Sequence, residues 1–135
     1  MQKYSIFSIP PYHFAYPLAD LSEVITNKPL FPVPKAPNFI LGLLPLRGQS
    51  FTILSLPILL GYTPTQDEHP LTVLLKSQNE RFGFQSKRVD VITQVPNLHP
   101  SPSGLPFYEW TQGFFHYQDH KVFVLTFAPL FSLLA

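Results

Sequence analysis

The sequence predicts an all-β protein with a short terminal helix, built as two small paired barrels. Three observations lead there. Proline makes up 16 of the 135 residues, roughly 12% against about 5% in average usage, and an interior proline deletes a helix hydrogen bond. Thirteen phenylalanines and a hydrophobic fraction of 45% supply the apolar surface that a disordered chain lacks to offset its ordering entropy. The third observation is that the chain repeats itself.

Phe14-Ala15-Tyr16 is echoed by Phe82-Gly83-Phe84 at an offset of 68, and Leu21 and Val24 are answered by Val89 and Ile92 at the same offset. Gly42-Leu43-Leu44 is echoed by Gly113-Phe114-Phe115 at an offset of 71, and Ile53-Leu54-Ser55-Leu56 by Val124-Leu125-Thr126-Phe127. A three-residue change of offset is what one loop of different length produces. Each half is then a supersecondary unit whose small sheet must bury an apolar face, and closing it into a barrel removes its exposed edges.

The local signals follow in order. Tyr4 to Ile9 is a short β-prone run, stopped at Pro10-Pro11. Asp20 to Ile25 fits either one helical turn or a continuing strand. Phe51 to Leu56 follows the turn cluster Arg47-Gly48-Gln49, and Leu71 to Leu75 follows the loop Gly61 to Pro70. Short β-rich runs bounded by such clusters read as strands. Pro96 to Pro106 is a proline- and serine-rich loop, expected to be the most flexible segment. Val122 to Phe127 comes after the turn Gln118-Asp119-His120. Ala128-Pro129 with Leu130 to Leu134 reads as a short helix, since proline is tolerated at the first helical position.

Composition narrows the function. A net charge of +1 gives no general attraction to nucleic acid. The absence of cysteine removes disulfides and thiolate metal sites and fits a cytoplasmic protein. Met1 to Pro10 lacks the basic and apolar regions of a signal peptide. The apolar tail from Val122 to Ala135, interrupted by Pro129, is shorter than the roughly 20 residues a membrane span needs. With only 13% charged residues, the surface is bare enough to be covered in part by partners.

Asn38 to Tyr62 carries Gly42, Leu46-Arg47-Gly48, Leu56 and Leu60-Gly61, preceded by the proline-containing approach Pro32 to Pro37. In this block the chain resembles the CheW family, and the strand from Tyr4, the Tyr12 to Ile25 segment, Gly83 to Val89 and Gly113 to Leu134 extend the likeness over nearly its whole length. The resemblance implies two tandem SH3-like five-stranded barrels within one CheW-like domain over 1–135, with exchange of strands between the barrels left open. It implies a non-catalytic signalling adaptor that couples a methyl-accepting chemoreceptor-like protein to a CheA-type histidine kinase, in chemotaxis, phototaxis or pilus motility. Such an adaptor is recruited to membrane receptor arrays from the cytoplasm without being inserted, and uses no cofactor. The chain departs from the family at Pro45, where asparagine is usual, and at Ser86-Lys87, where Val-Asp is usual.

Carried over position by position, the resemblance places a receptor-binding groove on Leu18, Leu21, Val24 and Val89, the alternative being that these four pack the barrel cores. An apolar cleft of this kind holds a helix through anchors three or four residues apart. Arg47 and Gly48 form the kinase- or receptor-facing loop. A guanidinium fork there satisfies a carboxylate or several carbonyls at once, or else simply caps its own turn.

Catalytic motifs are not evident. His116 and His120 with Asp119, or His69 with Asp67 and Glu68, have metal-ligand character, but the four-residue spacing shares a face only on a helix, and this segment reads as a hairpin. No Gly-X-Ser-X-Gly elbow or phosphate-cradling loop occurs. Asp20 with Glu23, or Glu80 with Asp90, offers a carboxylate pair of no distinguishing pattern. The competing class is a small β-barrel that binds a ligand or polysaccharide, with or without enzymatic activity.

Overall fold

The computed structural model describes residues 3–92, 95 and 97–134. Met1, Gln2, Thr93, Gln94, Ala135 and, within the proline- and serine-rich loop, Pro96 lie outside the described residues. Among the described residues, ten strands and two short α-helices follow one another along the chain. The strands are β1 (Tyr4–Ile9), β2 (Tyr12–Pro17), β3 (Leu21–Thr26), β4 (Ile40–Leu46), β5 (Gln49–Leu54), β6 (Leu71–Ser77), β7 (Glu80–Ser86), β8 (Arg88–Ile92), β9 (Thr111–Tyr117) and β10 (His120–Leu125). Helix α1 (Leu56–Leu60) follows β5, and α2 (Ala128–Leu134) follows β10.

Turn chemistry sets the hairpins. Arg47 and Gly48 both take positive φ (48° and 77°), as do Gln78 and Asn79 (52° and 66°) and Gln118 and Asp119 (48° and 63°). These are two-residue turns whose twist matches the flanking strands. The run expected over Phe51 to Leu56 divides instead: the strand ends at Leu54 and α1 begins. Ser55 Oγ accepts from the Ile58 N–H at 3.4 Å, Pro57 occupies the first turn, and Gly61 closes the helix in the left-handed region (φ 80°). This serine, proline and glycine punctuation is a helix signal.

The strands form two five-stranded sheets, ordered β8-β1-β2-β10-β9 and β3-β6-β7-β5-β4. Under the repeat, β1 corresponds to β6, β2 to β7, β3 to β8, β4 to β9 and β5 to β10. The two orders are therefore the same order, with the halves trading places. The first sheet takes β1 and β2 from the first half and three strands from the second; the other sheet takes the complement. In each, a parallel pair joins the halves: β2 with β10, and β7 with β5. The fold is that of two SH3-like sheets, but among the described residues no ladder joins β8 to β9 or β3 to β4. The barrels are therefore not closed by backbone pairing between their end strands.

Each sheet curls round a small interior core. In the first, Tyr4, Ile6, Ala15, Phe115, Val122 and Val124 pack together; in the second, Leu44, Phe51, Ile53 and Leu74, with Ile25 and Leu46 against them. Residues of end strands β3 and β4 thus meet inside one barrel. The opposite faces of both sheets share a larger core containing Phe7, Phe14 and Tyr16 from one and Val73, Leu75, Phe82 and Phe84 from the other. Phe7 and Phe84 touch across it with ring centroids 4.4 Å apart. Burial, opposed by a weaker contact with the Ser5 side chain and aided by Asp20, pushes the Tyr16 hydroxyl up to about 12.

The change of offset has a visible origin. Phe31 bridges to Leu43, and His99, 68 residues after Phe31, bridges to Phe114, 71 residues after Leu43. The extra three residues fall between His99 and β9, where the longer loop holds a 3-10 turn at Tyr108–Trp110.

Candidate functional site

Leu18 lies in a 3-10 turn (Leu18–Asp20) where the chain leaves β2 for β3, anchored by its N–H donating to the Lys3 carbonyl at 2.9 Å. Leu21 and Val24 follow on β3. Three residues apart, they would point to opposite faces of a regular strand. They do not, because the ladder shifts between Leu21 and Glu23: Leu21 pairs with Leu75 and Val24 with Val73. Both partners are buried in the shared core, so the bulge turns Leu21 and Val24 toward the same, inter-sheet face. The segment that fitted a helical turn or a strand is a 3-10 turn followed by a bulged strand.

Val89 pairs with Phe7 on β1. Phe7 is the repeat equivalent of Leu75, so Leu21 and Val89 hold the same position on the end strands of their respective sheets. Both are half-buried against the shared core. Leu18 and Val24 are half-buried too, outside the described core clusters. The equivalence of Val24 and Ile92 is not kept: β8 has no bulge, and Ile92 pairs with Tyr4 rather than Ser5. The carboxyl of Asp20, between Leu18 and Leu21, is raised by burial.

Arg47 and Gly48 form the β4–β5 turn. The bulge that brings Leu21 and Val24 together also sends Glu23 to the other face, where it forms an ion pair with Arg47. Since β3 and β4 are the two ends of their sheet, this ion pair spans the open seam of the barrel and ties the loop to the strand carrying Leu21 and Val24. Ser22, Gln49, Phe51 and Lys76 complete the mouth beside it. Glu23 was legible only as one of two neighbouring acids; its role depends on two end strands meeting, which no local pattern encodes. The Arg47 and Glu23 side chains are 69% and 33% exposed. Surface pairs of this kind contribute about 0–1 kcal/mol. Arg47→Ala should therefore change the urea unfolding free energy by less than about 1 kcal/mol, which leaves the variant usable for binding measurements.

The two departures from the family pattern sit in different settings. Pro45 is exposed on β4, an end strand, where the missing N–H removes little from the ladder. Lys87 lies where the chain crosses from one sheet to the other: its N–H donates to the Ser8 carbonyl at 2.9 Å and its ammonium to Gln66. The buried Ser86 hydroxyl lies 3.0 Å from that same Ser8 carbonyl and 2.7 Å from that of Arg88.

The histidines do not assemble as ligands. His116 pairs with Lys121 and His120 with Tyr117, so their separation in the ladder puts them on opposite faces. Among the described residues no group of three or more His, Asp or Glu is placed to hold a metal, and no helix is long and apolar enough to cross a membrane.

The CheW-like domain family matches residues 3–134. The chemotaxis protein CheW of Thermotoga maritima is 25% identical over 83 residues, 62% of this chain and 55% of that protein. The chemotaxis protein CheW of Helicobacter pylori is 26% identical over 102 residues, 73% of this chain and 62% of that protein. The match thus spans less than two thirds of either relative. The crystal structure of scaffolding protein TtCheW from Thermoanaerobacter tengcongensis superposes with a TM-score of 0.85 at 20% identity, covering 96% of this chain and 87% of that one, and shares its fold.

Proposed function

The chain belongs to the CheW-like domain family, and on that premise we propose that it is a non-catalytic adaptor coupling a chemoreceptor-like protein to a CheA-type histidine kinase. It works in the cytoplasm, is recruited to membrane receptor arrays, and forms over 1–135 one domain of two barrels that exchange strands. The observation that carries this reading is the placement of Leu21 and Val89 at one repeat position, on the inter-sheet face of an end strand in each barrel. An end strand has a neighbour on one side only, so its apolar side chains rim the shared core instead of being sealed in it. With Val24 and Leu18 they offer apolar contact to an incoming receptor helix. The Arg47 turn, tied to Glu23 between Leu21 and Val24, orders the adjoining surface for the kinase or receptor.

Val24 is the discriminating position, because it is half-buried outside the core clusters whereas Leu21 packs on the shared core. Val24→Glu should leave the cooperative unfolding transition in place and abolish co-sedimentation with receptor-bearing membranes. A folded Val24→Glu protein that still co-sediments in full rejects the groove. Arg47→Ala should weaken receptor–kinase assembly by a few kcal/mol at most, as for one charged anchor. Unchanged ternary assembly at matched stability would remove Arg47 from the interface.

A further inference from the structure

The mouths of the two barrels are equivalent in the repeat but differ in chemistry. At the second barrel's mouth, Arg81 and Gln49 occupy the positions that His13 and His120 hold at the first. His13 belongs to β2 and His120 to β10, so the two come from different halves of the chain and meet where those halves are joined. That joint is short, a parallel ladder of three pairs: His13 with Val122, Phe14 with Phe123 and Ala15 with Val124. The imidazoles stack directly across it, centroids 4.0 Å apart and planes 17° from parallel.

They line a concave pocket together with Ser8, Arg88, Asp90, Tyr117 and Gln118. The charged groups there, Arg88 and Asp90 on β8, are of opposite sign and act on an imidazolium in opposite directions. Tyr117 on β9 brings a phenol to the same lining. Asp119 and Lys121 flank His120 in sequence, again with opposite signs. The charge interaction that bears on His13 is with the His120 ring. With one proton between them they stack favourably. With two, like charges stand about 4 Å apart in a partly desolvated site, where repulsion exceeds its value in water.

We propose that His13 and His120 form a proton-sensitive latch across the β2–β10 joint, closed while at most one ring is charged and loosened when both are. The His13 imidazole is held below its ordinary range, first by burial and then by His120. A histidine held low binds its proton more readily in the unfolded chain. Its stabilising effect is therefore complete above the ordinary histidine value and is lost as pH falls through the lowered one.

The molecule carries its own control. The equivalent joint between β7 and β5 is also a three-pair parallel ladder, Thr52 with Phe82, Ile53 with Gly83 and Leu54 with Phe84, and contains no histidine. Between pH 7.5 and 5.5, amide protection factors at residues 13–15 and 122–124 should fall severalfold, while those at 52–54 and 82–84 hold. His120→Gln, a change at an exposed position, should remove the difference and move the His13 imidazole NMR titration part of the way up toward the ordinary value. A fall of equal size at both joints, or a His13 titration indifferent to His120→Gln, overturns the latch.

Discussion

Phe84→Ala is expected to destabilise the protein by about 3–5 kcal/mol, the range for truncating a fully buried phenylalanine. Its ring is inaccessible to solvent and meets Phe7 across the two sheets at 4.4 Å, with Phe127 at 6.4 Å and Tyr16 at 6.2 Å. Three of these four aromatics come from β1, β2 and β7, whose positions are held by backbone ladders, so the surroundings have little freedom to collapse into the space. The same truncation at an exposed aromatic, Tyr108→Ala, should change stability by less than about 0.5 kcal/mol. Urea unfolding of the three proteins measures both. A Phe84→Ala cost near that of Tyr108→Ala would mean that the sheets do not depend on this contact.

Gly113→Ala should cost about 3 kcal/mol or more, combining backbone strain with overpacking. Gly113 has φ +141°, and an added Cβ would lie 2.6 Å from the His99 carbonyl oxygen and 3.0 Å from Leu98 Cβ. His99 and Phe114 exchange two backbone hydrogen bonds of 2.9 Å, so that carbonyl cannot retreat without breaking them. Gly42→Ala should behave alike, because its added Cβ would lie 2.8 Å from the Phe31 carbonyl oxygen. Gly104→Ala, with nothing within 4 Å, should be within about 0.5 kcal/mol of the parent. Equal stabilities for Gly113→Ala and Gly104→Ala would show that the close approach of this bridge is dispensable.

The repeat made these glycines visible before their reason was. Gly42 and Gly113 stand out as the anchors of one echo, and each proves to admit a crossing backbone that a side chain would block. The other echo shows where equivalence fails: Ala15 is accommodated on β2, whereas a Cβ on its counterpart Gly83 would lie 2.5 Å from the Val73 carbonyl oxygen. Two positions can share a place in the repeat and still have different neighbours. The same holds for Val24 and Ile92, separated by a bulge present in one half only.

From the sequence alone follow the strand-rich class, the punctuation at residues 10–11, 47–48 and 118–119, the terminal helix, the duplication, and the family. All depend on neighbours along the chain or on motif order, which residues carry locally. Only the tertiary structure decided that each sheet takes strands from both halves, that a bulge gathers Leu21 and Val24 on one face, and that Glu23 reaches Arg47. An exchanged and an unexchanged pair of barrels satisfy the same alternation and the same turns. They differ in which strands lie side by side over the Phe7–Phe84 core, and that is settled by packing between residues far apart in sequence.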